Sequence, residues 1–142
     1  MTEVLRIIVK SQICSGCLSC TTSCSMANEL FVSLASARVR IELRPFDVSN
    51  KIFICRQCAK APCVRACPIG AISLREDGAW VVDYERCDKC MKCIDSCPFN
   101  AIFWNPLTGK VIKCELCDGD PQCVQACGTG ALSAQITVKE KQ

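Results

Sequence analysis

The chain has 142 residues, sixteen of them cysteine and none histidine, with a formal charge of +3. That length fits one domain or two small ones fused. The missing histidine removes Rieske-type centres, His-ligated haem and mixed cysteine–histidine zinc, and so mild a basic excess does not read as a nucleic-acid patch.

Met1–Lys10 has too short an apolar run for an export signal and no twin arginine. A reducing, cytoplasmic setting is therefore expected, which argues against eight disulfides. No apolar run approaches about 18 residues, so no transmembrane segment is expected. Residues 4–10 alternate around Leu5, Ile7 and Val9 and predict a first strand. The first cysteine group follows, Cys14-x2-Cys17-x2-Cys20-x3-Cys24, with a short helix predicted over 25–30. Residues 39–43 predict a second strand ending near Pro45, and the run 52–54 delivers the chain to Cys55-x2-Cys58-x4-Cys63-x3-Cys67-Pro68. Residues 71–74 and 79–82 flank Asp77-Gly78, a hairpin signature. The third group is Cys87-x2-Cys90-x2-Cys93-x3-Cys97-Pro98, and a second hairpin is predicted from 101–104 and 110–113 around Pro106 and Gly109. The fourth group is Cys114-x2-Cys117-x5-Cys123-x3-Cys127, followed by Gly128. A last strand candidate covers 136–138, and the chain ends in charge.

Three stretches repeat. Cys63 to Ile72, Cys93 to Ile102 and Cys123 to Leu132 share one frame and start thirty residues apart. One unit has been reused: a ligand loop, a single helical turn, and a strand whose Ile or Leu packs back on the bound group.

The third group is the ligand run of a bacterial-type ferredoxin, in which the cysteine before proline ligates the neighbouring cluster. Sixteen cysteines in four groups of four match four [4Fe–4S] clusters with none left over. Following two-cluster ferredoxins, the second and third groups form one module. Its expected ligand sets are Cys55, Cys58, Cys63 and Cys97, and Cys67, Cys87, Cys90 and Cys93. The first and fourth groups form an outer module, with Cys14, Cys17, Cys20 and Cys127 on one cluster and Cys24, Cys114, Cys117 and Cys123 on the other. The expected fold is α+β, two nested bacterial-ferredoxin-like modules in a single body over 1–142: an outer one over 1–50 plus 108–142, an inner one over 51–107. With about −2 per oxidised cluster, the net charge moves from +3 to about −5.

Competing readings are all-cysteine zinc, a disulfide scaffold, and clusters that only staple a small fold. Zinc knuckles lie further apart in sequence, and one or two staples would suffice where four clusters make a conducting row. Trp80, Trp104 and Phe103 could lie between clusters, though hairpin packing is the plainer account. Arg56, Lys60, Arg65, Lys89 and Lys92 lie within ligand loops, where they either tune potential or stay solvated. There is no activated nucleophile and no phosphate-binding glycine loop, so the chain is not expected to be an enzyme itself.

The order of motifs resembles the four-cluster electron-transfer subunits of molybdenum and tungsten oxidoreductases, the dimethyl sulfoxide reductase iron–sulfur subunit family. The likeness covers roughly residues 5–132 by the extent of the repeats. It rests on a first group without trailing proline, the C-x2-C-x4-C-x3-C-P second group and the stretched last group. The segment from Cys14 to Ile41 is most similar to the compact members, the small subunits of tungsten aldehyde oxidoreductases and the ferredoxin-like partners of carbon monoxide dehydrogenase. Gly128 departs from the proline many relatives carry after the last ligand. The resemblance implies a relay between a large tungsten or molybdenum catalytic subunit and an external carrier, a flavin or ferredoxin. A carbon monoxide dehydrogenase or hydrogenase partner is the alternative. A stand-alone polyferredoxin shuttle and a self-associating, filament-forming module are the readings from other classes.

Overall fold

The computed structural model describes residues 2–139. The charged end at 140–142 lies outside the described residues. Strand β1 (Thr2–Val9) leads through a 3-10 turn to helix α1 (Ser19–Glu29), and a second turn leads to β2 (Val39–Glu42) and β3 (Lys51–Ile54). Then come α2 (Pro62–Ala66), β4 (Ile72–Leu74), β5 (Trp80–Val82), α3 (Lys92–Ser96), β6 (Ile102–Asn105) and β7 (Lys110–Lys113). A further turn, α4 (Gln122–Ala126) and β8 (Leu132–Lys139) complete the chain. Short strands and a few short helices give the mixed content of a ferredoxin-like fold.

The strands form four antiparallel two-stranded ribbons: β1 with β8, β2 with β3, β4 with β5 and β6 with β7. Isolated ribbons of three or four residues are marginal in water. They are held here because β1–β8 and β2–β3 share one apolar core with Cys20, Cys24, Cys114 and Cys123, while Ile72, Val82, Ile102 and Val111 form a second core around Cys63. Helix α1 packs on α4, and α2 packs on α3.

The repeat is visible in three dimensions. Helices α2, α3 and α4 begin at 62, 92 and 122, and each is only five residues long. A helix that short does not hold itself. Pro62 at the first turn of α2 and Pro121 at the N-cap of α4 preset the backbone. The alanine after each unit is sealed inside: Ala71, Ala101 and Ala131 are all buried.

Both predicted hairpins form. In the first, Gly78 sits at φ +88° directly against Val4, so a Cβ there would meet the Val4 side chain at 2.1 Å. The Asp77 carboxylate accepts from the Ala79 N–H at 3.1 Å and pairs with Arg75 at 2.6 Å, which locks the turn. The main difference from expectation is α1. Its spacing predicts a helix only after Cys24, but the helix begins at Ser19 and carries both Cys20 and Cys24 on its own turns. The Thr21 and Thr22 hydroxyls donate back to the Leu18 carbonyl at 2.7 and 3.0 Å, so their polar groups are spent on the helix's own first turn. The last strand is longer than the 136–138 run suggests, because it pairs with β1 along its whole length.

Candidate metal centres

Three small cavities are each lined by four cysteines. One has Cys55, Cys58, Cys63 and Cys97 in its wall. A second has Cys67, Cys87, Cys90 and Cys93. The third has Cys24, Cys114, Cys117 and Cys123. The remaining four approach one another too: Cys20 feels the negative charge of Cys14, Cys127 and Cys17. Every set draws on two cysteine groups far apart in sequence.

The sets also have an order. Cys93 is influenced by Cys63 of the neighbouring set, Cys114 by Cys55, and Cys123 by Cys20. These influences link each set to a next, from the Cys67 set through the Cys55 and Cys114 sets to the Cys14 set. Among the described residues, no three His, Cys, Asp or Glu side chains close tightly enough to share a single metal ion.

The loops around the thiols carry unusual backbone. Gly16, Gln57, Lys89 and Leu116, each just before the second cysteine of its group, all have positive φ. Leu18, Met91 and Asp118, each just after it, do as well, and so does Cys117. For a residue with a Cβ this conformation costs about 1–2 kcal/mol. In the first and third groups the positive-φ residues flank the second cysteine, a change of hand that turns successive N–H groups toward one point, as in the nests that favour an anion. In the fourth, residues 116–118 are left-handed in succession. Direct N–H donors to sulfur add to this. Arg38 N–H reaches Cys24 Sγ at 3.1 Å, Ala71 N–H reaches Cys67 Sγ at 3.3 Å, and Ala101 N–H reaches Cys97 Sγ at 3.5 Å. In the third repeat, where Gly128 replaces proline, the Ala131 N–H donates to Thr129 Oγ1 at 3.4 Å. Thr129 Oγ1 in turn lies 3.7 Å from Cys127 Sγ.

Thiol acidity follows burial. Burial pushes Cys20 and Cys93 up to about 11 and Cys114 to about 12, and it raises Cys58, Cys63, Cys24 and Cys123 as well. Such thiols keep their protons at neutral pH unless a strongly positive centre displaces them. The exposed Cys17 goes the other way, lowered by hydrogen bonds from Ser19. For Cys127, hydrogen bonds from Leu132, Thr129 and Ala131 outweigh the effect of burial and leave it lowered. Many buried thiols, N–H donors aimed at sulfur and anion nests together fit sulfur-ligated polynuclear iron.

The basic and aromatic residues near the ligand groups divide sharply. Lys60, Arg65, Lys89 and Lys92 are exposed. Arg56 is half-buried in the wall of the Cys55 cavity, its guanidinium 5.6 Å from the centre of the Phe99 ring. Trp80 is in that wall as well, its indole N–H donating to the Cys58 carbonyl at 2.8 Å. Phe103 is buried under Arg40 at 4.1 Å, and Trp104 packs on the second core. Two basic residues that the motifs do not single out are buried beside the thiols: Arg38 and Lys113. A lysine closing an apolar strand one residue before a ligand, Val111-Ile112-Lys113-Cys114, is the available signal for the second.

The sequence model of one protein family, described as a 4Fe-4S dicluster domain, matches residues 48–137. Among curated proteins, the chain is 37% identical over 89 residues to the polyferredoxin-like subunit of an aliphatic sulfonate oxidoreductase from Pyrococcus furiosus, covering 62% of this chain and 51% of that one. It is 38% identical over 85 residues to the electron transfer subunit PhsB of thiosulfate reductase from Salmonella typhi, covering 54% of this chain and 43% of that one. The chain thus spans about half the length of these relatives. Among solved structures, it is similar to a chain of the active site complex BamBC of benzoyl coenzyme A reductase as isolated. The TM-score is 0.61 and the identity 26%, over 99% of this chain and 82% of that one.

Proposed function

This chain belongs to the 4Fe-4S dicluster domain family, and on that premise we propose that it is the electron-transfer subunit of a larger oxidoreductase. In this reading it holds four [4Fe–4S] clusters and carries no catalytic site of its own. The observation that carries the reading is the set of three small cavities, each walled by four cysteines drawn from two motifs.

The ligand sets we assign are Cys14, Cys17, Cys20 and Cys127; Cys55, Cys58, Cys63 and Cys97; Cys67, Cys87, Cys90 and Cys93; and Cys24, Cys114, Cys117 and Cys123. They divide the chain into nested modules, an inner one over 51–107 and an outer one over 1–50 plus 108–142. Each cluster, when bound, supplies a one-electron couple whose potential depends on charge, hydrogen bonds to sulfur and solvent exposure. The protein's part is to hold the ligands in a row, keep water off them and set that environment. Thiolate ligation of this kind suits a reducing cytoplasm.

The partner we favour is a tungsten or molybdenum oxidoreductase, of the aldehyde-oxidising kind or a relative of it. The two curated relatives are named as subunits of a sulfonate oxidoreductase and a thiosulfate reductase. A subunit also needs a docking face. Met26, Leu30, Phe31, Val32 and Leu34 are all exposed at the end of α1 and just beyond it. Apolar side chains bunched on a surface this way mark contact sites. Met26 and Val32 share a broad groove with Cys117, so this face borders the ligand row. No described helix is long and apolar enough to cross a membrane.

The test is an anaerobic native pull-down with metal analysis. We expect about sixteen irons per chain, from four four-iron clusters, and a stoichiometric large subunit bearing tungsten or molybdenum. Nickel in the partner would move the reading to carbon monoxide dehydrogenase or hydrogenase. Iron without any partner would leave a free shuttle, and zinc with little iron would overturn the reading.

A further inference from the structure

Lys113 is the largest side chain with no exposure at all among the described residues. Its Nζ donates to the carbonyls of Trp80 and of Cys114, the latter at 3.0 Å. The same buried knot includes Gln57, which donates to the Cys114 carbonyl at 2.8 Å and accepts from the Trp80 N–H at 2.8 Å. Carbonyls satisfy the donors of an ammonium, but they do not cancel its charge.

The neighbouring buried cation shows the contrast. Arg38 lies 3.8 Å from Glu29 and 3.7 Å from Glu115. The other carboxylate oxygen of Glu115 accepts from Val82 N–H at 3.1 Å. Lys113 has no carboxylate within ion-pair distance among the described residues. A buried charge without a counter-ion is among the costliest features a fold can carry. What Lys113 does have is a place in the wall of the cavity with Cys55, Cys58, Cys63 and Cys97, joined there by Arg56. The matching cavity of Cys67, Cys87, Cys90 and Cys93 has no basic residue in its wall and one acidic one, Asp88.

We propose that the Lys113 ammonium is the built-in counter-ion of the cluster held by Cys55, Cys58, Cys63 and Cys97, and that it sets that cluster's reduction potential above that of the cluster held by Cys67, Cys87, Cys90 and Cys93. This deepens the cluster reading and rests on it. Reduction adds one negative charge to the bound group. A fixed positive charge in a wall sealed from water favours the reduced form, whereas an exposed one is screened. Lys113 acts through the field it creates and makes no bond to iron, so it is a positioning residue.

The test is an EPR-monitored redox titration of the full chain, loaded anaerobically with iron and sulfide, with Lys113→Gln and Lys113→Arg alongside. In Lys113→Gln one cluster should show a reduced-to-oxidised ratio at least tenfold lower at fixed potential, 59 mV for a one-electron couple, with a smaller drop at the neighbouring cluster that includes Cys114 and none at the Cys67 cluster, at unchanged iron content. Lys113→Arg should keep that ratio within threefold. Full iron with unshifted ratios in the Gln variant overturns the role of Lys113 and leaves the clusters standing. An unaltered chain that takes up no iron overturns the cluster reading itself. If Lys113→Gln fails to fold, the unaltered chain labelled with 15N at lysine Nζ provides the test. Pulsed EPR should find one nitrogen coupled to one cluster signal, and no coupling overturns the proposal.

Discussion

The cavities of Cys55 and Cys67 are built from the same repeat, and each is lined by four cysteines. Each is capped by a cysteine that precedes a proline, Cys97 in one and Cys67 in the other, and backed by a buried isoleucine, Ile102 and Ile72 respectively. Their walls nevertheless have opposite character. The Cys55 cavity is lined by Lys113, Arg56, Trp80 and Phe99, and its Cys63 is buried. The Cys67 cavity is lined by Asp88, Met91 and Ile69, all exposed, and Cys90 is exposed as well. The repeat supplies the same ligand frame twice, and the residues around it give one wall two basic side chains, Lys113 and Arg56, and the other a single acidic one, Asp88. On the proposed assignment, such a difference would give a row of alike clusters its direction.

The largest effect should come from breaking the buried side of the pair. On the proposed assignment, Cys63→Ala and Cys90→Ala each remove one cluster, about four irons by metal analysis. Only Cys63→Ala should also lose the cooperative thermal transition, because ligand and core are lost together and metal binding contributes directly to folding. Equal melting of the two variants would show that the burial contrast is without consequence.

Next come the backing isoleucines. Ile72→Ala and Ile102→Ala should each cost about 2–4 kcal/mol in denaturant melts. Each should speed oxidative bleaching of its own cluster and leave the other's rate unchanged. If either substitution bleached both, the cavities would not be separate compartments. In the unaltered protein, the Cys67 site should bleach first, since Cys90 is open to solvent.

The smallest effect should be at Asp88. Removing its charge in Asp88→Asn should favour reduction of the Cys67 cluster, opposite in sign to the loss of Lys113. Solvent screening holds this to about a twofold change in the reduced-to-oxidised ratio. A change as large as that at Lys113 would mean that exposure does not damp charge at this site.

The parts of this molecule that are legible in sequence are those encoded within a few residues. Cysteine spacing, the thirty-residue repeat and the turn at Asp77-Gly78 are local chemistry, and local patterns survive folding. The early start of α1 is hidden because the helix runs through a ligand group, so Cys20 and Cys24 read as loop. The anion nests are hidden for a different reason. Positive φ announces itself through glycine, as at Gly16, but Leu18, Lys89 and Leu116 adopt it without any such mark. Lys113 can be noticed in sequence but not placed, since its burial depends on Trp80 and Gln57 arriving from two separate segments.

The ribbon of β1 and β8 sets a schedule for biogenesis. Val9 is opposite Leu132, so β1, once it leaves the ribosome, must wait for about 120 further residues, roughly 6–25 s at ordinary elongation rates. Through that interval an apolar strand with Leu5, Ile7 and Val9 has an open edge, a template for the wrong neighbour. The cysteines from 55 to 97 can meet long before then, whereas Cys14, Cys17 and Cys20 have no Cys127 to meet. On the proposed ligand sets, maturation would run from the middle of the chain outward, and a stalled or truncated product would be half furnished and adhesive.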